Sequence, residues 1–326
     1  MRIYFILTAI LLIISLSVPF ISCTVSEHTN TAFEKTDDVK NSSEKPTDDQ
    51  STRDEKITIF KTATEETIET DMTEYLIGVV AAEMPASFSA EALKAQTVAS
   101  YTYAKYLKEN NGSDFTITDS SAVHQSYIDT AEQKEKWGDN YEYYRSIIES
   151  AVTSVSGEYL TYNSKTALTA FHAHSESYTN SAEEIWGNPV AYLISVEAPS
   201  KESFETECSF TSKNFKAIFE EKGELKITES DIKKWVMVMS KSDRGYIRTL
   251  QIGGKDFSAV EVKDILSLPS ATFTAKLENN RFVFTVKGKG HGVGMSQYSA
   301  EYMAKEGKSY KEILAHFYPG TKLKKD

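Results

Sequence analysis

Glu83 closes an otherwise apolar run: Leu76, Ile77, Val79, Val80, Ala81 and Ala82 precede it, and Met84-Pro85 follow. Proline disfavours helical geometry in the residue before it, so a helix over Met72–Glu83 is expected to stop close to this carboxylate. A carboxyl pressed against apolar neighbours favours its protonated form, the state required of a proton donor. The plain alternative is a helix-terminal glutamate pointing into water, so the weight falls on the residues around it.

Three other stretches carry residue types suited to chemistry. The stretch 287–321 places His291 among Gly290, Gly292 and Gly294, and Ser296 and Gln297 then open a helix. Glycines permit close approach by a ligand, and a helix start with a hydroxyl and an amide offers donors to polar groups. The loop lacks the Lys-Ser/Thr ending of a nucleotide-phosphate cradle, which argues against that use. In 171–199, His172 and His174 alternate with Phe171 and Ala173. On a strand they share a face, where they form either half of a metal site or one buried and one surface histidine. In 117–129, His124, Gln125 and Tyr127 suit a sugar cleft, since amides bond hydroxyls and aromatic rings stack on sugar faces.

The elements that must position these residues are legible as an α+β pattern. Residues 57–69 alternate and are Thr/Ile-rich, predicting an opening strand or hairpin. A long helix is expected over 88–110, capped by Ser87 or Ser89 and ended by Asn111-Gly112, and another over 141–156 with Gly157 as its stop. Residues 159–162 and 167–172 flank Asn163-Ser164 as a hairpin. A short helix near 214–221, β-like runs at 235–240, 247–252, 272–277 and 282–287, and helices near 296–306 and 310–317 complete the body, with Pro319-Gly320 as its end.

The chain has 326 residues and a net charge of −11, which argues against nucleic acid or an anionic membrane surface as partner and suits a neutral or amidated substrate. Residues 3–21 hold no charge and would extend roughly 28 Å as a helix, enough for a bilayer core. Residues 1–23 therefore read as a membrane anchor, with a cleaved signal peptide or a lipoprotein signal acylated at Cys23 as the alternatives; all three place the body outside the cytoplasm. Residues 24–56 are acidic and nearly free of aliphatic side chains, and are read as a flexible tether to a domain over 57–322, one body or two intimate subdomains. With Cys23 and Cys208 as the only cysteines, and Cys23 at the anchor, no stabilising disulfide is expected.

Taken together, the blocks YLIGVVAAEMPASFSAEALKAQTVASYTYA, FHAHS…WG and GHGVGMSQYSAEYMAKEGKSYKEILAHFYPGT resemble, in order and over 57–322, the stage II sporulation protein D family, which includes amidase enhancers. The resemblance implies a membrane-anchored lytic transglycosylase of peptidoglycan glycan strands, acting in engulfment beside a cell-wall amidase and a membrane protein of the same complex. It implies that Glu83 is the catalytic acid and that Gln125, Tyr127, His172, Ser175, His291, Ser296 and Gln297 line the cleft, with no cofactor. This chain departs from the family pattern with Tyr101 where Arg is frequent and with Ser175-Glu176-Ser177 where Ser-Gly-Gly is usual. Ser120 and Ser121 stand where some relatives carry zinc-binding cysteines, so no such zinc site is expected.

The matching motifs show one obligatory carboxylate, whereas ordinary glycosidases need two. One suffices if the muramic acid C6 hydroxyl attacks C1, leaving a 1,6-anhydro end. Two other readings compete: a non-enzymatic glycan-binding enhancer of an amidase, and a metal-dependent hydrolase built on His124, His172, His174 and His291.

Overall fold

A computed structural model describes residues 22–25, 55–112 and 114–326, and the expectations for 1–21 and 26–54 lie outside these. Its helices are α1 (Met72–Glu83), α2 (Ala90–Asn111), α3 (Thr130–Trp137), α4 (Tyr141–Ser154), α5 (Ala182–Trp186), α6 (Ser212–Glu221), α7 (Ala259–Leu266), α8 (Gln297–Lys305) and α9 (Tyr310–Phe317). Several small sheets accompany them, and the architecture is α+β with two apolar cores.

The first core is built around α1. This helix is apolar on every side, so it is an interior element: Tyr75 through Ala81 are all buried. Asp71 caps its start by accepting the Glu74 N–H at 2.9 Å, and Met84, extended before Pro85, ends it. Helices α2 and α4 pack beside α1, while α8 and α9 lie against α2. The hairpin of Lys56–Lys61 and Glu66–Asp71 gains a parallel third strand, Thr116–Thr118.

The second hairpin departs from expectation. Asn163 and Ser164 do form its turn, with φ of 49° and 65°, but its outgoing arm is only Lys165–Thr166. Phe171–His172 instead pairs in parallel with Met295–Ser296, which joins two of the motif blocks. Nor does Pro319-Gly320 end the fold, because Lys322–Lys325 adds an antiparallel strand to Glu158–Tyr162.

The second core lies under an antiparallel sheet ordered 22–25, 205–211, 281–287, 273–278. With it pack a three-stranded sheet (Val236–Lys241, Ile247–Ile252, Lys255–Ser258) and helices α6 and α7. Phe215 of α6 stacks on Phe282 with ring centroids 4.1 Å apart. Two corrections fall here. Thr24 and Val25 are strand residues rather than tether, and Lys56 opens a strand. Cys208 is disulfide-bonded, and the register sets Cys23, the only other cysteine, directly opposite it.

Candidate active site

Glu83, the last residue of α1, is half-buried, and both of its carboxyl oxygens are held. The Ser126 N–H donates to Oε1 at 2.7 Å, and the Gln297 side-chain amide donates to Oε2 at 3.2 Å. The same amide faces Gln96 Oε1 at 3.4 Å, and Gln96 in turn donates to Ser100 Oγ at 3.0 Å. Glu83 opens onto a cavity of about 420 Å³ whose wall includes Lys136, Trp137 and Tyr144. The Lys136 ammonium donates to the Ala81 carbonyl at 2.7 Å; desolvation lowers its pKa and the nearby Glu83 opposes that.

Glycine at position 78 makes the arrangement possible. A Cβ there would stand 2.3 Å from Tyr127 Cε2 and 2.7 Å from the Ile128 carbonyl. The loop carrying Ser126 therefore lies directly on α1, and its Ile128 N–H donates to the Gly78 carbonyl at 3.3 Å. Tyr127 stacks on Tyr75 from below (centroids 5.7 Å apart), and Gln125 donates to the Tyr75 hydroxyl at 2.6 Å. Both Gln125 and Tyr127 are buried, so they support the loop from beneath rather than face the cavity. Gln125 Oε1 is buried without a partner among the described residues.

His172 and Ser175 form a buried clasp. The His172 Nδ1 faces the Val293 carbonyl at 3.1 Å and must donate to it, so Nε2 accepts from the Ser175 hydroxyl at 2.6 Å. Desolvation, with the His291 ring beside it, holds His172 well below the usual histidine range. Gly294, at φ 72°, closes this region: a Cβ there would stand 2.0 Å from the Ala170 carbonyl. Ser296 is fully buried against Ser299, and the Tyr298 N–H at the start of α8 already donates to Ala173. The Ser296 hydroxyl and the Tyr298 N–H at this helix start are thus engaged internally, and the Gln297 side-chain amide is directed at Glu83.

His172 and His174 do not share a face. The strand stops at His172, and His174 turns to donate from Nε2 to the Glu202 carbonyl at 3.1 Å. Among the described residues no cluster of three or more His, Cys, Asp or Glu is placed to hold a metal ion.

His291 lies apart from Glu83's cavity, in the wall of a second one of about 350 Å³ shared with His124, Phe171 and Trp186. Desolvation lowers His291 to about 4. The loop 124–126 divides the two cavities, with His124 on one side and Ser126 on Glu83. Ser126 acts through its backbone, which no side-chain motif reveals. Gln96, Trp137 and Trp186 carry no site motif of their own, although Trp137 and Trp186 each stand before a glycine, the mark of a helix end with an aromatic at its tip.

An interior helix ending in a doubly held glutamate beside an aromatic-walled cavity defines a class of glutamate-centred sites. The known proteins narrow it. Residues 60–162 match the family described as stage II sporulation protein. The chain is 35% identical to the stage II sporulation protein D of Bacillus subtilis (strain 168), covering 82% of this chain and 78% of the relative. It is 32% identical, with the same coverage, to the protein of that name from Bacillus amyloliquefaciens. An amidase enhancer of Bacillus subtilis (strain 168) is 26% identical over 76% of this chain and 40% of its own length. The chain belongs to the stage II sporulation protein D family.

Proposed function

We propose that this chain is a lytic transglycosylase of peptidoglycan, with Glu83 serving first as acid and then as base. Protonated Glu83 gives its proton to the glycosidic oxygen as the C1–O bond breaks. The muramic acid C6 hydroxyl oxygen bonds to C1, and its proton passes to the Glu83 carboxylate. The products are a new 4-hydroxyl end and a 1,6-anhydromuramic end, with no water consumed. The observation that carries this reading is the doubly held carboxyl, the one carboxylate among the described residues lining its cavity. Without a second carboxylate to activate water or attack C1, the nucleophile is best supplied by the substrate.

The proposed setting is outside the cytoplasm, with an anchor preceding the strand that opens at residue 22, and with glycan strands, a cell-wall amidase and a membrane protein of the engulfment complex as partners. A disulfide at Cys208 supports an oxidising compartment. The similarity to an amidase enhancer favours a second reading, glycan binding that stimulates an amidase without cleavage.

The test is incubation of the chain and its Glu83→Gln variant with peptide-free glycan strands, followed by mass spectrometry. Anhydro ends from the parent alone are expected. Reducing ends one water heavier would replace the mechanism by hydrolysis, and glycan binding without cleavage would favour the enhancer reading.

A further inference from the structure

The strand Val236–Lys241 forms an open margin beside the second core. It is the outermost of its three-stranded sheet, pairing with Ile247–Ile252 on one side and with no strand on the other among the described residues. Its register fixes which backbone groups face outward. The Gly253 N–H donates to the Trp235 carbonyl at 3.0 Å, and Val236 stands opposite Ile252. Antiparallel pairs alternate between bonded and non-bonded, so Met237 bonds to Gln251 while Val236 and Val238 turn their N–H and carbonyl groups to the open edge. The side chains are apolar as well: Met237, Val238 and Met239 are 48%, 41% and 54% exposed. A bulge after Val238 ends the regular stretch.

Lysines bracket this edge. Lys233 and Lys234 precede it and Lys241 closes it, all exposed and none in an ion pair among the described residues. The nearby acids are turned onto backbone: Glu229 accepts from the Asp231 N–H, and Asp231 from the Lys233 N–H. In the turn beyond, Asp243 and Arg244 offset each other in charge. For a chain of net charge −11, a basic apolar edge is a local exception.

We infer that this edge is a docking site for an extended segment of another polypeptide, an alternating apolar strand with acidic residues at its ends. Pairing to the backbone of Val236 and Val238 supplies affinity, the exposed apolar side chains supply packing, and the three lysines select the acidic ends. A second copy of this chain fits poorly, because antiparallel self-pairing about Met237 sets Lys233 and Lys241 of the two copies against each other. Residues 26–54 also fit poorly, being nearly free of aliphatic side chains. The edge shares no residue with the cavity of Glu83 and is independent of the chemistry proposed there.

The experiment uses the full chain and a soluble peptide of alternating valine and threonine with two aspartates at each end. Fluorescence anisotropy reads its affinity, and hydrogen exchange followed by NMR reads the edge amides. The Val236 and Val238 N–H groups are expected to exchange rapidly in the free chain and to slow at least tenfold with the peptide, while Met237 is protected in both states. Methylating the peptide nitrogens along one edge weakens binding about tenfold. Replacing its aspartates by lysines weakens binding about fivefold, and a chain carrying Lys234→Glu and Lys241→Glu reverses that preference. Val238→Pro removes one outward N–H and no bond to the neighbouring strand, so the urea midpoint holds while peptide binding is lost. Equal binding of the methylated peptide, protection confined to other strands, or no binding at millimolar peptide overturns the site. Protection of Val236 and Val238 in the free chain also overturns it by showing the edge already covered; sedimentation then separates a second copy from residues 26–54.

Discussion

Gln297 and Glu83 stand 214 residues apart in sequence, yet the Gln297 amide donates to Glu83 Oε2 at 3.2 Å. The bond ties the first residue of α8 to the last residue of α1, and with Ser126 N–H it fixes the carboxyl plane. Gln297→Ala removes one of the two restraints without adding charge. Turnover on glycan strands is expected to fall about a hundredfold while glycan affinity changes little, since a small misplacement of a reacting group costs about that much. Parallel measurement of kcat and KM checks it; a rise in KM with kcat intact would show that Gln297 holds substrate instead.

Gly78 is the contact that lets the Ser126 loop rest on α1. In Gly78→Ala the new methyl meets the Tyr127 ring and the Ile128 carbonyl, and backbone cannot yield as a side-chain tip can. A destabilisation of about 1–3 kcal/mol is expected by urea titration. Activity should drop further than the folded fraction does, because the loop shift withdraws the Ser126 N–H from Glu83.

Ser177 has φ 64°, a left-handed backbone that disfavours any residue with a Cβ, and it occupies a place where the family pattern has glycine. Ser177→Gly relieves about 1–2 kcal/mol of backbone strain and gives back part of that through the freer unfolded chain. The net expectation is a stabilisation of up to about 1 kcal/mol, visible as a higher denaturant midpoint.

The histidines set an acid limit. Desolvation lowers His172, His174 and His291, the last to about 4, all below the unfolded value of about 6.5. Between the folded and unfolded values the unfolded chain binds more protons, so stability is present above about pH 6.5 and is lost as pH falls toward the folded values. A histidine well inside its window contributes a slope of at most about 1.4 kcal/mol per pH unit. Urea titrations from pH 7.5 to 5 should show the decline, and His174→Phe should lessen it while His172 and His291 keep the rest.

Much of the helical framework is legible because its signals are local. Pro85 stops α1 beside Glu83, and the sequence boundaries of α1 and α9 coincide with the structural ones. Helix α3 is not legible from periodicity because only Gln133 on it is buried, which leaves no apolar stripe. Its signal was instead the capping box of Asp129 and Glu132, a device repeated at Ser181, Ser258 and Ser309. In the site, Glu83 was legible from its apolar surroundings. The burial of Gln125 and Tyr127 and the parting of His172 from His174 were not, because both depend on a loop and a two-residue strand placed by distant contacts.

The strand pairing of Phe171–His172 with Met295–Ser296, together with the reach of Gln297 to Glu83, bears on when this molecule becomes competent. The chain is synthesised from its N-terminus, so Glu83 and Ser126 exist long before their third partner. Every truncated or partly made chain ending before α8 lacks the second restraint on the carboxyl and the edge that fastens His172. Long-range closure of this kind is slow to form and comes late. The glycan cleavage proposed for Glu83 would thereby wait until the whole polypeptide is present, with completeness of the chain acting as its safety catch.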